Sequence, residues 1–293
     1  MPRALHEVPF EEWVDVVFNR PITHPAWYHG IHNDREEVFQ WDQHDPRLIT
    51  ARLTQLFSEP DQWLPRYTPQ QLKQGLWYFA SNACSSYMFA PKDPEVPIEA
   101  RRACVASFYD LYAQLFAPRC AVVLCHNLPP ARDPLQEEEL RLHHKLAQLY
   151  QKHFPEPAGV EIPQKVMDER IRQWTAERQP LEERLQAVQA AGIRWDPYPL
   201  NSICYMWWDI IPIGPDPDDT SCSSLDSAVL DVLTRTLALD SIACQEAALH
   251  GLGHWHFAYP EETKSIIDTY LAEARPEGPL LEYARQARAG HVL

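Results

Sequence analysis

Residues Asp240 to Ala272 constrain the fold more than any other stretch of this chain. They read Asp-Ser-Ile-Ala-Cys-Gln-Glu-Ala-Ala-Leu-His-Gly-Leu-Gly-His-Trp-His-Phe-Ala-Tyr-Pro-Glu-Glu-Thr-Lys-Ser-Ile-Ile-Asp-Thr-Tyr-Leu-Ala. Asp240 is expected to cap a helix of small and apolar residues, and Gly251 and Gly253 to weaken its end or to let a neighbouring helix come close, Gly251 above all. Pro260 then opens a second helix, with Glu261 and Glu262 in the first turn, where the helix dipole favours carboxylates. The stretch predicts a helical hairpin. Such a unit cannot bury its apolar face alone, so a chain built on it stacks several.

The rest of the chain repeats that logic. Glycine, which supplies the positive-φ corners of tight hairpins and phosphate loops, occurs only 9 times, whereas proline occurs 27 times. Proline can open a helix and stop the one before it, so many prolines with few glycines predict short helices joined by stiff turns. Helical spacing follows Phe10, Trp13, Val14 and Val17, and again Leu48 to Leu56 before Pro60. Thr68-Pro69 supplies a cap and a first-turn proline for a helix carrying Leu72, Leu76, Phe79 and Ala83. Further helices are expected over Ile98–Phe116, Asn201–Ile211, Leu225–Leu237 and Leu280–Arg288, with a loop at Pro212–Asp219. The segment Cys120–Cys125 is the one place where a strand is expected, if any exists.

Between about 131 and 196 the composition changes. Charges crowd in, aromatics thin out, and two apolar stripes remain, Leu142/Leu146/Leu149 and Leu181/Leu185/Val188. The fold class is therefore all-α: a single domain over residues 1–293, an irregular α-solenoid-like array of helical hairpins with a charged helical insertion at about 131–196. Ala248-Leu249-x-x-Leu252-Gly253, a short turn, and Ile266-Ile267-x-x-Tyr270-Leu271 resemble a HEAT-type repeat over about 35 residues. The resemblance implies helix pairs that serve as a binding scaffold. The chain departs from that family in lacking a strict period of roughly 40 residues.

Charge narrows the partners. A formal charge of −15 weighs against nucleic acid and against anionic membrane surfaces, and leaves a basic protein partner open. The first residues lack the apolar core of a signal peptide, and no run approaches the roughly 20 apolar residues of a membrane span. Seven cysteines at irregular spacing do not form a disulfide framework, so a reducing, cytoplasmic setting is expected. Small-residue pairs such as Ala83-Cys84, Ala103-Cys104 and Ala243-Cys244, with Ile203-Cys204 as a variant, suit close helix packing better than reactive thiols. Arg101 and Arg102 near Cys104 are the only basic neighbours that would favour a thiolate.

Chemistry concentrates on one stripe. Glu246, His250 and His254 recur every four residues and therefore share a helix face, with His256 just beyond. Two histidines at that spacing can share a divalent ion, and Glu246 would serve as third ligand or as a supporting partner, with Asp209 or Asp240 available for further ligation or base work. The glutamate stands four residues before the first histidine, so the His-Glu-x-x-His signature of zinc peptidases is absent. Cys120 and Cys125 followed by His126 lack the second cysteine pair that would close a zinc site, and His24, His29 and His32 lie in a loop that does not fix them on one face. The leading expectation is a protein-binding scaffold or adaptor, without a cofactor, able to neutralise a basic partner. The alternative is a hydrolase using zinc, iron or manganese on the Glu246/His250/His254 stripe.

Overall fold

The structure, a computed structural model, describes residues 5–23, 26–29, 45–127, 134–155, 162–191, 196–216 and 223–292. His24, His32, the outer part of the 212–219 loop and the ends of the expected insertion at 131–133 and 192–195 lie outside them, as does the side chain of His29. The protein is all-α, with no strand among the described residues. In chain order the α-helices of four or more residues are α1 (Phe10–Phe18), α2 (Pro46–Ser58), α3 (Pro60–Trp63), α4 (Pro69–Ala80), α5 (Ile98–Asp110), α6 (Pro134–His153), α7 (Gln164–Ala191), α8 (Pro199–Ile210), α9 (Ser223–Leu237), α10 (Ile242–Trp255), α11 (Pro260–Glu273) and α12 (Gly278–Arg288). Helix α5 runs on through a π-helical turn, Leu111–Phe116, and short 3-10 turns include Cys125–Asn127.

Local chemistry explains the starts. Pro46, Pro60, Pro69, Pro199 and Pro260 each occupy a first helical position, where the missing N–H has no intrahelical partner to lose. Asp45 accepts from the N–H groups of Arg47 and Leu48, and Thr68 forms a reciprocal capping box with Gln71. One expected cap is corrected. Helix α10 begins at Ile242, so Ser241 rather than Asp240 is its N-cap, and the Ser241 side chain makes no capping hydrogen bond.

The chain divides into two compact units, residues 1–21, 28–128 and 196–293 in the first, and 22–27 with 129–195 in the second. In the first unit α10 is the hub and packs against α8, α9, α11 and α12; α8 also packs against α4, α9 against α5, and α5 against α2. Aromatic side chains fill the spaces between them. Trp13 meets Phe79 and Tyr87, and Phe57, Phe108 and Trp207 meet edge to face. Cys84, Cys104, Cys204 and Cys244 are buried in this core, and burial pushes the Cys104 thiol up to about 12.

The α10 glycines serve contact rather than helix termination. A Cβ on Gly251 would lie 2.7 Å from Leu233 Cδ2 and 2.8 Å from Trp208 Cγ, and both Gly251 and Gly253 sit inside the helix. Cys120–Cys125, the candidate strand, is irregular. The Asn201 side chain pins it, accepting from Ala121 N–H and donating to the carbonyls of Ala121 and Val123.

In the second unit α6 packs on α7. Leu142, Leu149 and Val188 are buried there, while Leu146, Leu181 and Leu185 are half-buried. Ion pairs Lys152–Glu177 (2.8 Å) and Arg184–Glu138 (2.8 Å) lie on its surface. Among the described residues no helix is long and apolar enough to cross a membrane.

Candidate metal centre

Two stripes with four-residue spacing face each other across the α8–α10 contact. Helix α8 presents Tyr205 and Asp209; helix α10 presents Glu246, His250 and His254. The pairing runs rung by rung. The Tyr205 and His250 rings are 4.3 Å apart, and one turn along, His254 Nε2 stands 3.6 Å from Asp209 Oδ1.

His250 Nε2 and His254 Nε2 approach to 3.1 Å, and one ligand atom from each of Asp209, His250 and His254 lies within 4.8 Å of the others. Two ligands about 2.0–2.1 Å from a tetrahedral ion would be about 3.3 Å apart. The His250–His254 and His254–Asp209 separations bracket that value and Asp209 lies within 4.8 Å of His250, so side-chain adjustment would bring the three donors onto one divalent ion. His250 is buried, whereas the side chains of Asp209 and His254 are 43% and 38% exposed, so the group opens to solvent on one side. Burial, reinforced by the charges of His254 and His126, lowers His250 from 6.5 to about 3 and keeps its ring neutral, the form a metal requires.

Glu246, expected as a ligand or its support, turns elsewhere. Its buried carboxylate accepts from the backbone N–H groups of Cys125 (2.8 Å) and His126 (2.9 Å), and from His126 Nδ1–H (2.6 Å). The His126 ring stacks on Tyr283 of α12, with centroids 4.1 Å apart and planes at 14°. The Tyr283 hydroxyl lies 2.7 Å from His250 Nδ1 and 3.0 Å from the Tyr205 hydroxyl. A continuous chain of contacts therefore runs from Glu246 through His126 and Tyr283 to the ring of His250.

The remaining expected residues go to other tasks. His256 Nδ1 meets Thr263 Oγ1 at 3.2 Å, and Asp240 lines a separate surface cavity of about 330 Å³ at the start of α10. Cys120 and Cys125 join no metal-ligating group among the described residues, and burial with the nearby Glu246 charge pushes the Cys125 thiol up to about 12. Sequence reasoning named Asp209 but missed Tyr205, which precedes it by one turn on the same face and was open to the same spacing argument. It also missed the roles of His126 and Tyr283, which come from a turn and a helix far from α10 in sequence and carry no local signature. Compared with family models, with curated proteins and with solved structures, the chain matches none.

Proposed function

We propose that this protein is a divalent-metal-dependent hydrolase whose ion is held by Asp209, His250 and His254. The supporting observation is the convergence of the three donor atoms within 4.8 Å on a rim open to solvent. A set of two imidazoles and one carboxylate suits zinc, iron or manganese, and three protein ligands leave room for a substrate. An ion there would act as a Lewis acid and activate a coordinated water. Burial would keep the His250 imidazole neutral, and Asp209 would offset the ion's charge. Net charge of −15 favours neutral or cationic substrates over polyanions.

The test is metal analysis of the purified chain, then zinc titration by calorimetry and hydrolysis of p-nitrophenyl acetate with and without a chelator. One ion per chain and chelator-sensitive turnover, both lost in His250→Ala and Asp209→Ala, are expected. A chain that binds neither zinc, iron nor manganese excludes the proposal.

A second reading, the protein-binding scaffold with HEAT-like hairpins, draws on a different feature. The α6–α7 hairpin leaves Leu140, Tyr150, Val166 and Ile171 exposed among charged residues. Cross-linking to a basic protein such as cytochrome c, lost when these four become serine, would support it. Retention by the quadruple variant would remove it.

A further inference from the structure

We infer that Tyr283 is the positioning residue of the metal centre, holding His250 with Nδ1 protonated and Nε2 aimed at the ion; the inference rests on the metal reading above. A buried imidazole offers a metal one nitrogen only if the other carries the proton and has somewhere to send it. The Tyr283 hydroxyl stands 2.7 Å from His250 Nδ1, within reach to accept that proton. Its own proton has a destination in the Tyr205 hydroxyl, 3.0 Å away. The order of donation that leaves Nε2 free for the ion is His250 Nδ1–H to Tyr283 and Tyr283 O–H to Tyr205. That order leaves His250 Nε2 as a lone pair, 3.1 Å from His254 Nε2.

The tyrosine is itself held from behind. Leu280, Tyr283, Ala284 and Ala287 are the buried face of α12, which packs on α10. The parallel His126 ring backs the phenol, and three hydrogen bonds from the Cys125–Asn127 turn to the buried Glu246 carboxylate fix that imidazole. A phenol that merely filled space would need none of this alignment. A phenol that must present its oxygen at one point needs its ring plane and its depth fixed, and the stack and the helix contact do that.

The experiment uses the full chain and zinc as probe. Wild type, Tyr283→Phe and Tyr205→Phe are titrated by calorimetry, and the unfolding midpoint of each metal-free protein is recorded. Tyr283→Phe is expected to weaken zinc binding by about 10–100-fold, the usual loss when a partner of a ligating histidine is removed. Tyr205→Phe, one bond further out, should weaken it less. A space-filling role would shift the midpoint and leave the zinc affinity untouched, and that result overturns the inference while sparing the metal site. A wild type that binds no zinc, iron or manganese overturns both. Should Tyr283→Phe fail to fold, the ¹⁵N shifts of His250 in metal-free wild type decide: the Nδ1–H form is expected, and the Nε2–H form overturns the assignment.

Discussion

Each compact unit contains a glutamate–histidine pair, and the two pairs do different work. In the second unit His153 Nε2 sits 3.2 Å from Glu177 Oε1, whose carboxylate is 45% exposed and also binds Lys152. In the first, His126 Nδ1 sits 2.6 Å from Glu246, whose side chain is 1% exposed and also binds two backbone N–H groups. Water can replace either partner of Glu177, and a surface pair in high dielectric contributes little. Burial shields the Glu246 carboxylate from solvent, and without it the half-buried donors of Cys125 and His126 would lose their acceptor. The same two residue types mean a solvated face in one place and an organised site in the other, and burial makes the difference.

The largest expected effect breaks this contrast at its strong end. Glu246→Ala should destabilise the protein by about 3 kcal/mol or more, since three donors lose their acceptor at about 1–3 kcal/mol each. Urea unfolding of the variant measures it. A loss no greater than that of an exposed glutamate would mean the Cys125–Asn127 turn does not depend on Glu246.

Acid should expose the same burial at His250. Its ring is held to about 3 in the folded chain against 6.5 for an unburied histidine, so the unfolded chain binds the additional proton. The contribution to stability is complete above about 6.5 and is lost progressively as pH falls from about 6.5 towards about 3, to the extent of a few kcal/mol. In chelator, unfolding free energies measured between pH 7 and pH 4 should fall steeply for wild type and less steeply for His250→Gln. Equal slopes would show that His250 is not buried neutral.

How much of this was legible depends on the range of the signal. Helix α4 announced itself through its cap and apolar spacing, and α9 and α10 through the spacing of their small and apolar residues, because those cues act within a few residues. The histidine stripe was legible for the same reason, since residues four apart on a helix must share a face. What the stripe faces is set by tertiary packing. Asp209 could be named only as one of two acidic candidates, and nothing local separates it from Asp240, which ends up beside a different cavity. Cys120–Cys125 looked strand-like through its apolar run. Asn201 and Glu246, distant in the chain, satisfy the backbone polar groups that a ladder would have paired. Gly251 read both as a weak point of the helix and as a place of close approach; that Trp208 and Leu233 are the neighbours pressing on it is set by tertiary packing.

That last point yields the next prediction. Gly251→Leu should cost about 1–3 kcal/mol through overpacking, since even its Cβ would stand 2.7 Å from Leu233 and 2.8 Å from Trp208. A thermal melt measures it. An unchanged midpoint would show that α10 turns another face towards α8 and α9, which would also move His250 away from Asp209.

The smallest effect belongs to the second unit and sharpens the comparison from its weak end. Arg184 makes two parallel hydrogen bonds to Glu138, at 2.8 and 3.1 Å, and this good geometry pulls the Glu138 carboxyl below the usual carboxylate range. Geometry alone would rank the pair beside Glu246. Exposure says otherwise: the Arg184 and Glu138 side chains are 57% and 31% exposed, water competes for every hydrogen bond, and ordering two long side chains has an entropic cost. Glu138→Gln should therefore leave the unfolding midpoint of the chain unchanged within error at physiological salt, with a small shift only at low ionic strength, where screening is weak. A loss in Glu138→Gln approaching that of Glu246→Ala would show that bond geometry, rather than burial, ranks the two regions.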